Sequence, residues 1–399
     1  MTKFISIDNI PQLLEELAAG AVVWAPRELA GSGASLFERW QPGQPVDLEH
    51  ITSISAKDVL LPRTEKLFDF SYAFGGPGNQ PANAPGGEQE SAAGACTAAS
   101  PCSGACGERI SIEPAIPSGA TVLFGARACD ARALTVLDAL FDQPEGEAYS
   151  DPYYHARRKA LTVITLACTA CDPACFCSSF KNGPAETAGS DLILYPVEAG
   201  FLAEAVTLTG EEIITRNGRI TTGGEAATAT SGSGQGNASP LFEESSQGKP
   251  PLAVTDVVEG LAGLQEGLPA VFKDLDFWNR MTATCISCGF CSHGCPACYC
   301  FNIHDEMRGD REGERLRSWD ACMFNLYTQE ASGHNPRPTQ AHRYRNRVNH
   351  KFSYYPANQG EILCTGCGRC IRGCPASIDI RDVLRAALEK AATTAGSPE

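Results

Sequence analysis

The stretch that decides the reading is Cys285-Ile286-Ser287-Cys288-Gly289-Phe290-Cys291-Ser292-His293-Gly294-Cys295-Pro296, and it has a twin at Cys364-Thr365-Gly366-Cys367-Gly368-Arg369-Cys370-Ile371-Arg372-Gly373-Cys374-Pro375. Both have the form CxxCxxCxxxCP. Three thiolates must converge on one iron–sulfur cube from a single tight loop, and small residues such as Gly289 and Gly368 let the backbone curl around it. In ferredoxin-type pairs the fourth cysteine of each run ligates the other cluster. The expected ligand sets are therefore Cys285, Cys288, Cys291 and Cys374 for one [4Fe-4S] cluster, and Cys364, Cys367, Cys370 and Cys295 for the other. This crossing would pin the runs together although 68 residues separate Cys295 from Cys364. Structural zinc fits less well, because tetrahedral sites draw on two CxxC pairs or on histidines and need no third cysteine at this step.

Working outward, the chain of 399 residues has room for two or three domains, and its composition is globular. The net charge of −15 argues against nucleic-acid binding and against charge-driven membrane binding. An acidic carrier can still dock onto a basic redox partner. Nineteen cysteines, an odd count, fit poorly with a disulfide scaffold. The start MTKFISIDNI has no apolar run of signal-peptide length, and no stretch of 18 continuous apolar residues predicts a spanning helix. Cysteines at metal-ligand spacing in such a chain imply a reducing, cytoplasmic setting.

Upstream, a helix is expected from about 9 to 19 with Leu13, Leu14 and Leu17 inward, and a short strand at 21–25. A second helix is expected around Leu36, Phe37 and Trp40. Residues 121–125 read as a strand leading through Cys129-Asp130 into a helix with Ala133, Leu134, Leu137 and Leu140. Strands follow at 161–167, running into Cys168, and at 191–196. Strand, helix, strand is an α/β unit with cysteines at strand ends. Two Gly/Ala/Ser-rich stretches, 75–107 and 221–249, carry no periodicity. Residues 255–265 and 271–283 look helical. Past Cys374 a helix is signalled, capped by Asp379 or Asp382, with Val383, Leu384, Ala387 and Leu388 on one face. The fold class expected is an α/β domain over 1–250 bearing one cluster, and a helical two-cluster region over 251–399 split by an insertion.

Five cysteines, Cys129, Cys168, Cys171, Cys175 and Cys177, gather at the strand ends, and spacing alone leaves five candidates for four places. The chain resembles the iron–sulfur β subunit of cytoplasmic sulfhydrogenases and the A subunit of anaerobic sulfite reductase. The resemblance rests on Gly125-Ala126-Arg127-Ala128-Cys129-Asp130, on Cys168-Thr169 with Cys175-Phe176-Cys177, and on Asp191-Leu192-Ile193-Leu194. It continues through Cys295-Pro296-Ala297-Cys298-Tyr299-Cys300-Phe301, Trp319-Asp320-Ala321-Cys322, Asn335-Pro336-Arg337-Pro338 and His350-Lys351-Phe352 into the second cysteine run. It covers roughly residues 50–390. The resemblance implies a third [4Fe-4S] cluster on Cys129, Cys168, Cys175 and Cys177, leaving Cys171 out. The stretch Asp172-Pro173-Ala174 departs from the family's glycine and proline there. It also implies partners: a flavoprotein subunit linked to NAD(P)H or ferredoxin, and a catalytic redox subunit of hydrogenase or sulfite reductase type. This chain would be the non-catalytic relay between them.

Seven cysteines lie outside those sets: Cys96, Cys102, Cys106, Cys171, Cys298, Cys300 and Cys322. Cys298 and Cys300 with Cys322 are either small hydrophobes beside the clusters or ligands of a further metal. Arg337, Arg345, Arg347, His350 and Lys351, with Trp319, either offset cluster charge or form a docking face. No G-x-G-x-x-G follows a strand and no P-loop occurs, so no NAD(P) or flavin is expected in this chain. Two other function classes stay open on the residues alone. One is an enzyme reducing a disulfide or sulfur species at the N-terminal cluster; the other is a scaffold stabilised by its clusters.

Overall fold

A computed structural model describes residues 2–73, 109–142, 150–180, 183–217 and 241–395. The three cysteines Cys96, Cys102 and Cys106, and most of both low-complexity stretches, lie outside the described residues. In chain order the strands are β1 (Lys3–Ser6), β2 (Val22–Leu29), β3 (Ala34–Arg39), β4 (Thr64–Ala73), β5 (Arg109–Pro114), β6 (Thr121–Arg127), β7 (Leu161–Leu166), β8 (Leu192–Val197), β9 (Gly200–Ala205), β10 (Glu243–Glu244), β11 (Phe301–Met307) and β12 (Glu312–Trp319). The principal helices are α1 (Ile10–Ala18), α2 (Ala128–Phe141), α3 (Pro152–Lys159), α4 (Leu208–Asn217), α5 (Leu264–Val271), α6 (Leu275–Met281), α7 (Gln340–Asn349) and α8 (Ile380–Ala395). The chain forms two compact units, one of residues 1–63, 117–301 and 319–399, the other of 64–116 and 302–318.

The first unit is built on an eight-stranded sheet of order β10-β1-β9-β8-β7-β6-β2-β3. Its centre, β2, β6, β7 and β8, is parallel, and the outer pairs are antiparallel. Alternate side chains of the central strands serve opposite faces. Val122, Phe124, Ile164 and Leu166 join Leu13 and Leu14 of α1 in one core. Leu123, Leu161 and Val163 join Leu134 and Leu137 of α2 in another. Burial on both faces is why β6 and β7 read as continuous apolar runs.

The expected helix around Leu36 and Phe37 is instead strand β3, paired antiparallel with β2 from Trp24–Arg39 to Leu29–Ala34. Spacing of a few apolar residues does not separate helix from strand over so short a run. Here Leu36 and Phe37 stand in register with Arg27 and Pro26 across the hairpin. Residues 255–260 are not helical; the helical path begins with a 3-10 turn at Leu261 and continues in α5 and α6.

The helical part of this unit packs α5, α6, α7 and α8 around Trp278, Tyr344, Val348, Phe352 and Leu384. Phe176 and Phe180, from the loop after β7, belong to the same core. Asp379 accepts from the Arg381 amide at 2.8 Å at the start of α8, so it is the cap and Asp382 lies within the first turn. Val383, Leu384 and Ala387 are buried as expected. Between α7 and Tyr355 the chain makes a π turn, His350–Tyr354, a rare wide turn that turns up at functional sites.

The second unit is an antiparallel sheet of order β11-β12-β4-β5. Its hairpin β11–β12 lies in the segment between the two cysteine runs. His304 and Glu306 pair there, and Asp305 pairs with Arg315. No helix among the described residues is long and apolar enough to cross a membrane.

Candidate iron–sulfur centres

Each run follows the same local course. Gly289 and Gly368 sit at φ 75° and 70° and start one-turn helices, Phe290–His293 and Arg369–Arg372, that carry the third cysteine. Cys285, Cys288 and Cys291 line one apolar pocket together with Cys374 from the other run, and Cys370 also reaches it. Ile286, Phe290, Met323, Tyr344 and Ile378 complete the lining. The amide of Ser287 donates to Cys285 Sγ at 3.4 Å and that of Ile378 to Cys374 Sγ at 3.3 Å. Donors of this kind favour a charged sulfur. Burial pushes the Cys291 thiol up to about 11, against the pull of the Arg347 guanidinium.

Cys364 and Cys367 are buried, and Cys370 lies within electrostatic reach of both. Cys295 is buried and interacts with Cys367. Lys351, carried on the π turn, donates to Cys295 Sγ at 3.4 Å and to the Leu363 carbonyl at 2.7 Å. Its ammonium is held above the usual lysine range despite burial, by Cys295, Cys298 and Cys364.

The third set stands at the carboxyl ends of two adjacent parallel strands, where open α/β sheets place their sites. Cys129 opens α2 just after β6, and Cys168 follows β7. A bulge near Gly125 shifts the register of β6 before it reaches Arg127. The Arg127 side chain donates to the carbonyls of Leu48, Glu49 and His50 and bonds Cys168. Cys177 interacts with Cys168 and Cys175, and burial pushes it up to about 12. This loop lies directly on the second run. The Phe176 amide donates to the Gly366 carbonyl at 2.8 Å. A Cβ on Gly366 would stand 2.6 Å from the Cys177 Cα, and one on Gly368 2.5 Å from the Ala174 carbonyl oxygen. Only glycine permits that approach, with φ of 65° and 70° besides. Arg369 locks the junction. It pairs with Asp130 of α2 through two bonds of 2.6 and 2.8 Å and donates to Thr52 through two more of 2.8 Å.

Against known proteins, the 4Fe-4S dicluster domain family matches residues 284–378, both runs and the hairpin between them. The sulfhydrogenase 2 subunit beta of Pyrococcus furiosus is 31% identical over 268 residues, 67% of this chain and 73% of that protein. The chain belongs to the family of that β subunit. No solved structure matches.

In this β-subunit-family chain the cysteines of the two runs fit the dicluster domain of the family model. Cys285, Cys288, Cys291 and Cys374 share one pocket, and the buried Lys351 faces Cys295. Among the described residues, no three His, Cys, Asp or Glu side chains converge at distances that would hold a single metal ion. Cys171 is exposed and donates to the Val254 carbonyl at 3.2 Å, although it also interacts with Cys168. Cys298, Cys300 and Cys322 are free thiols within electrostatic reach of one another, and Cys298 of Cys295 as well. Cys322 is lowered from the usual thiol range by its close neighbour Cys300, with Arg347 adding to the pull. Sequence reasoning missed Lys57, which donates to the Ser292 and Cys298 carbonyls at 3.0 and 2.9 Å. The available signal was one lysine within the run Ala56-Lys57-Asp58-Val59-Leu60-Leu61. Of the basic group 337–351, Arg347 and Lys351 point at cysteines, whereas Arg345 lies over the Phe272 ring, its carbon 4.1 Å from the centroid.

Proposed function

We propose that this chain is the electron-relay subunit of a multi-subunit iron–sulfur oxidoreductase and carries no substrate chemistry of its own. Residues 1–250 would hold one [4Fe-4S] cluster on Cys129, Cys168, Cys175 and Cys177. Residues 251–399 would hold two, on Cys285, Cys288, Cys291 and Cys374 and on Cys364, Cys367, Cys370 and Cys295. The observation that carries the reading is contiguity. Cys175 Sγ lies 3.9 Å from the Cys367 carbonyl oxygen, and Cys370 lines the pocket of the first run. Bound clusters supply one-electron chemistry; the chain supplies spacing, burial and charge.

The relative's name, a sulfhydrogenase subunit, supports a place in a multi-subunit redox complex, and the partners are part of the proposal. One would be a flavoprotein or ferredoxin-linked module, the other a catalytic subunit of hydrogenase or sulfite reductase type, in the cytoplasm. The dicluster domain at 284–378 supports that placement. The test is anaerobic purification with iron and sulfide counting, followed by turnover assays. At least about 12 irons per chain, and electron flow only when a flavoprotein partner is added, is the expected result. Reduction of a disulfide or sulfur compound by the isolated chain would defeat it.

A further inference from the structure

We infer that strand β5 is a self-complementary edge by which two copies of this chain join. The first observation is an open apolar edge. β5 ends the sheet of the second unit, and among the described strands it pairs with β4 alone. Its Ile110 and Ile112 are 57% and 54% exposed. They stand opposite Tyr72 and Phe70 of β4, whose ring centroids lie 5.6 Å apart. Phe68 continues that row, 6.5 Å from Phe70. An apolar face thus reaches the rim of the sheet. The opposite edge, β11, carries His304, Asp305 and Glu306 in succession. Charges of that kind keep edge strands from pairing. The centre of β5, Ile110-Ser111-Ile112, has none.

The second observation is register. The Ala115 amide donates to the Leu67 carbonyl at 2.8 Å, which continues the pairing of Phe68 with Pro114. Hydrogen-bonded and non-bonded pairs alternate along an antiparallel ladder. The backbone of Ser111 and Glu113 is therefore turned to β4, and that of Ile110 and Ile112 to the open edge. Tyr72, opposite Ile110, donates instead to the Arg311 carbonyl on the far side of β4, at 2.8 Å, as this alternation requires. A second β5 laid antiparallel about Ser111 would set Ile110 of each copy opposite Ile112 of the other. Each such pair could exchange both its N–H···O bonds.

The order of residues fits that same register. Ser111 falls on the two-fold axis opposite itself, and position 109, an arginine, falls opposite Glu113. Isoleucine meets isoleucine on one face, and opposite charges meet on the other. Pro114, which has no N–H to give, ends the ladder at an outward position. A second copy supplies this matching order by symmetry, which is why the occupant is another molecule of this chain. The edge lies in the second unit, which holds none of the cysteines assigned to clusters. The inference therefore stands apart from the relay reading.

The experiment is anaerobic sedimentation velocity on the full chain over a range of concentrations. It compares wild type, Ser111→Lys, Ser111→Glu and an equimolar mixture of the two variants. Wild type is expected to associate to a dimer. Each variant alone sets like charges face to face on the axis and should raise the dissociation constant about tenfold or more. The mixture should restore the dimer, because opposite charges then face each other. A wild-type chain that stays monomeric at every concentration overturns the inference. So does a dimer that both variants leave unchanged, or a mixture no more associated than its components. Ser111 is exposed, so the fold should survive either substitution. Hydrogen exchange of the wild-type chain tests the same edge without a variant. The outward amides of Ile110 and Ile112 should be protected at high concentration and exchange freely on dilution. Equal exchange at both concentrations overturns the inference.

Discussion

Arg369 sits between Gly368 and Cys370, and its guanidinium is fully buried against Asp130 and Thr52. Removing one partner of such a pair strands the other charge, at about 3–5 kcal/mol. Asp130→Ala should therefore lower the unfolding free energy of the full chain by about that much in anaerobic urea titration. Asp130→Ala/Arg369→Met should recover part of it, and a loss under about 1 kcal/mol in the single variant would show that the pair is not the lock described. Lys351 is the second test at this scale. Its ammonium lies 3.4 Å from Cys295 Sγ, so it favours the more negative, reduced state of a cluster held there. Lys351→Met should lower that cluster's midpoint potential; a differential of about 1.4 kcal/mol corresponds to about 59 mV for one electron. An unmoved potential in a spectroelectrochemical titration would contradict this. At this scale the dicluster domain was legible because the spacing of its cysteine runs is local. Lys57 and the Asp130–Arg369 pair were not, because their partners lie 235 to 241 and 239 residues away in the chain.

Among elements, the contact of the loop 174–177 with the turn 366–368 matters most. Gly368→Ala would place a methyl 2.5 Å from the Ala174 carbonyl oxygen in left-handed backbone. Neither backbone can yield cheaply, so a loss of about 2 kcal/mol or more is expected. Iron attributable to the Cys129 set should fall with it. Wild-type stability and iron content in this variant would mean that the two loops do not depend on each other. Strands β6, β7 and β8 could be read directly because burial on both faces makes them uniformly apolar. Strand β3 could not, since its few apolar residues fit either period and its pairing with β2 decided the outcome. Strand β11 was missed for a different reason. Its six residues from Asn302 to Met307 carry polar or isolated apolar side chains that are largely exposed, so no alternation marks it.

For the molecule as a whole, the crossing of ligands between runs makes a distinctive claim. Cys374→Ser should damage the cluster of Cys285, Cys288 and Cys291, whose pocket it lines, and Cys295→Ser the cluster of the second run. EPR of the two variants checks this; damage confined to the mutated residue's own run would contradict the crossing. The sequence predicts the crossing because the motif carries its own rule for sharing ligands, and Cys374 beside Cys285, Cys288 and Cys291 supports it. The seating of the third cysteine set on the second run was not legible there, because it depends on backbone contact between segments about 190 residues apart. The central claim is that this chain is a wire of neighbouring clusters. The most direct test is an anaerobic redox titration of the full chain followed by EPR. The account predicts several one-electron centres whose signals broaden or split through mutual magnetic coupling as reduction proceeds. A single isolated signal, or clusters that do not reduce reversibly, would contradict it.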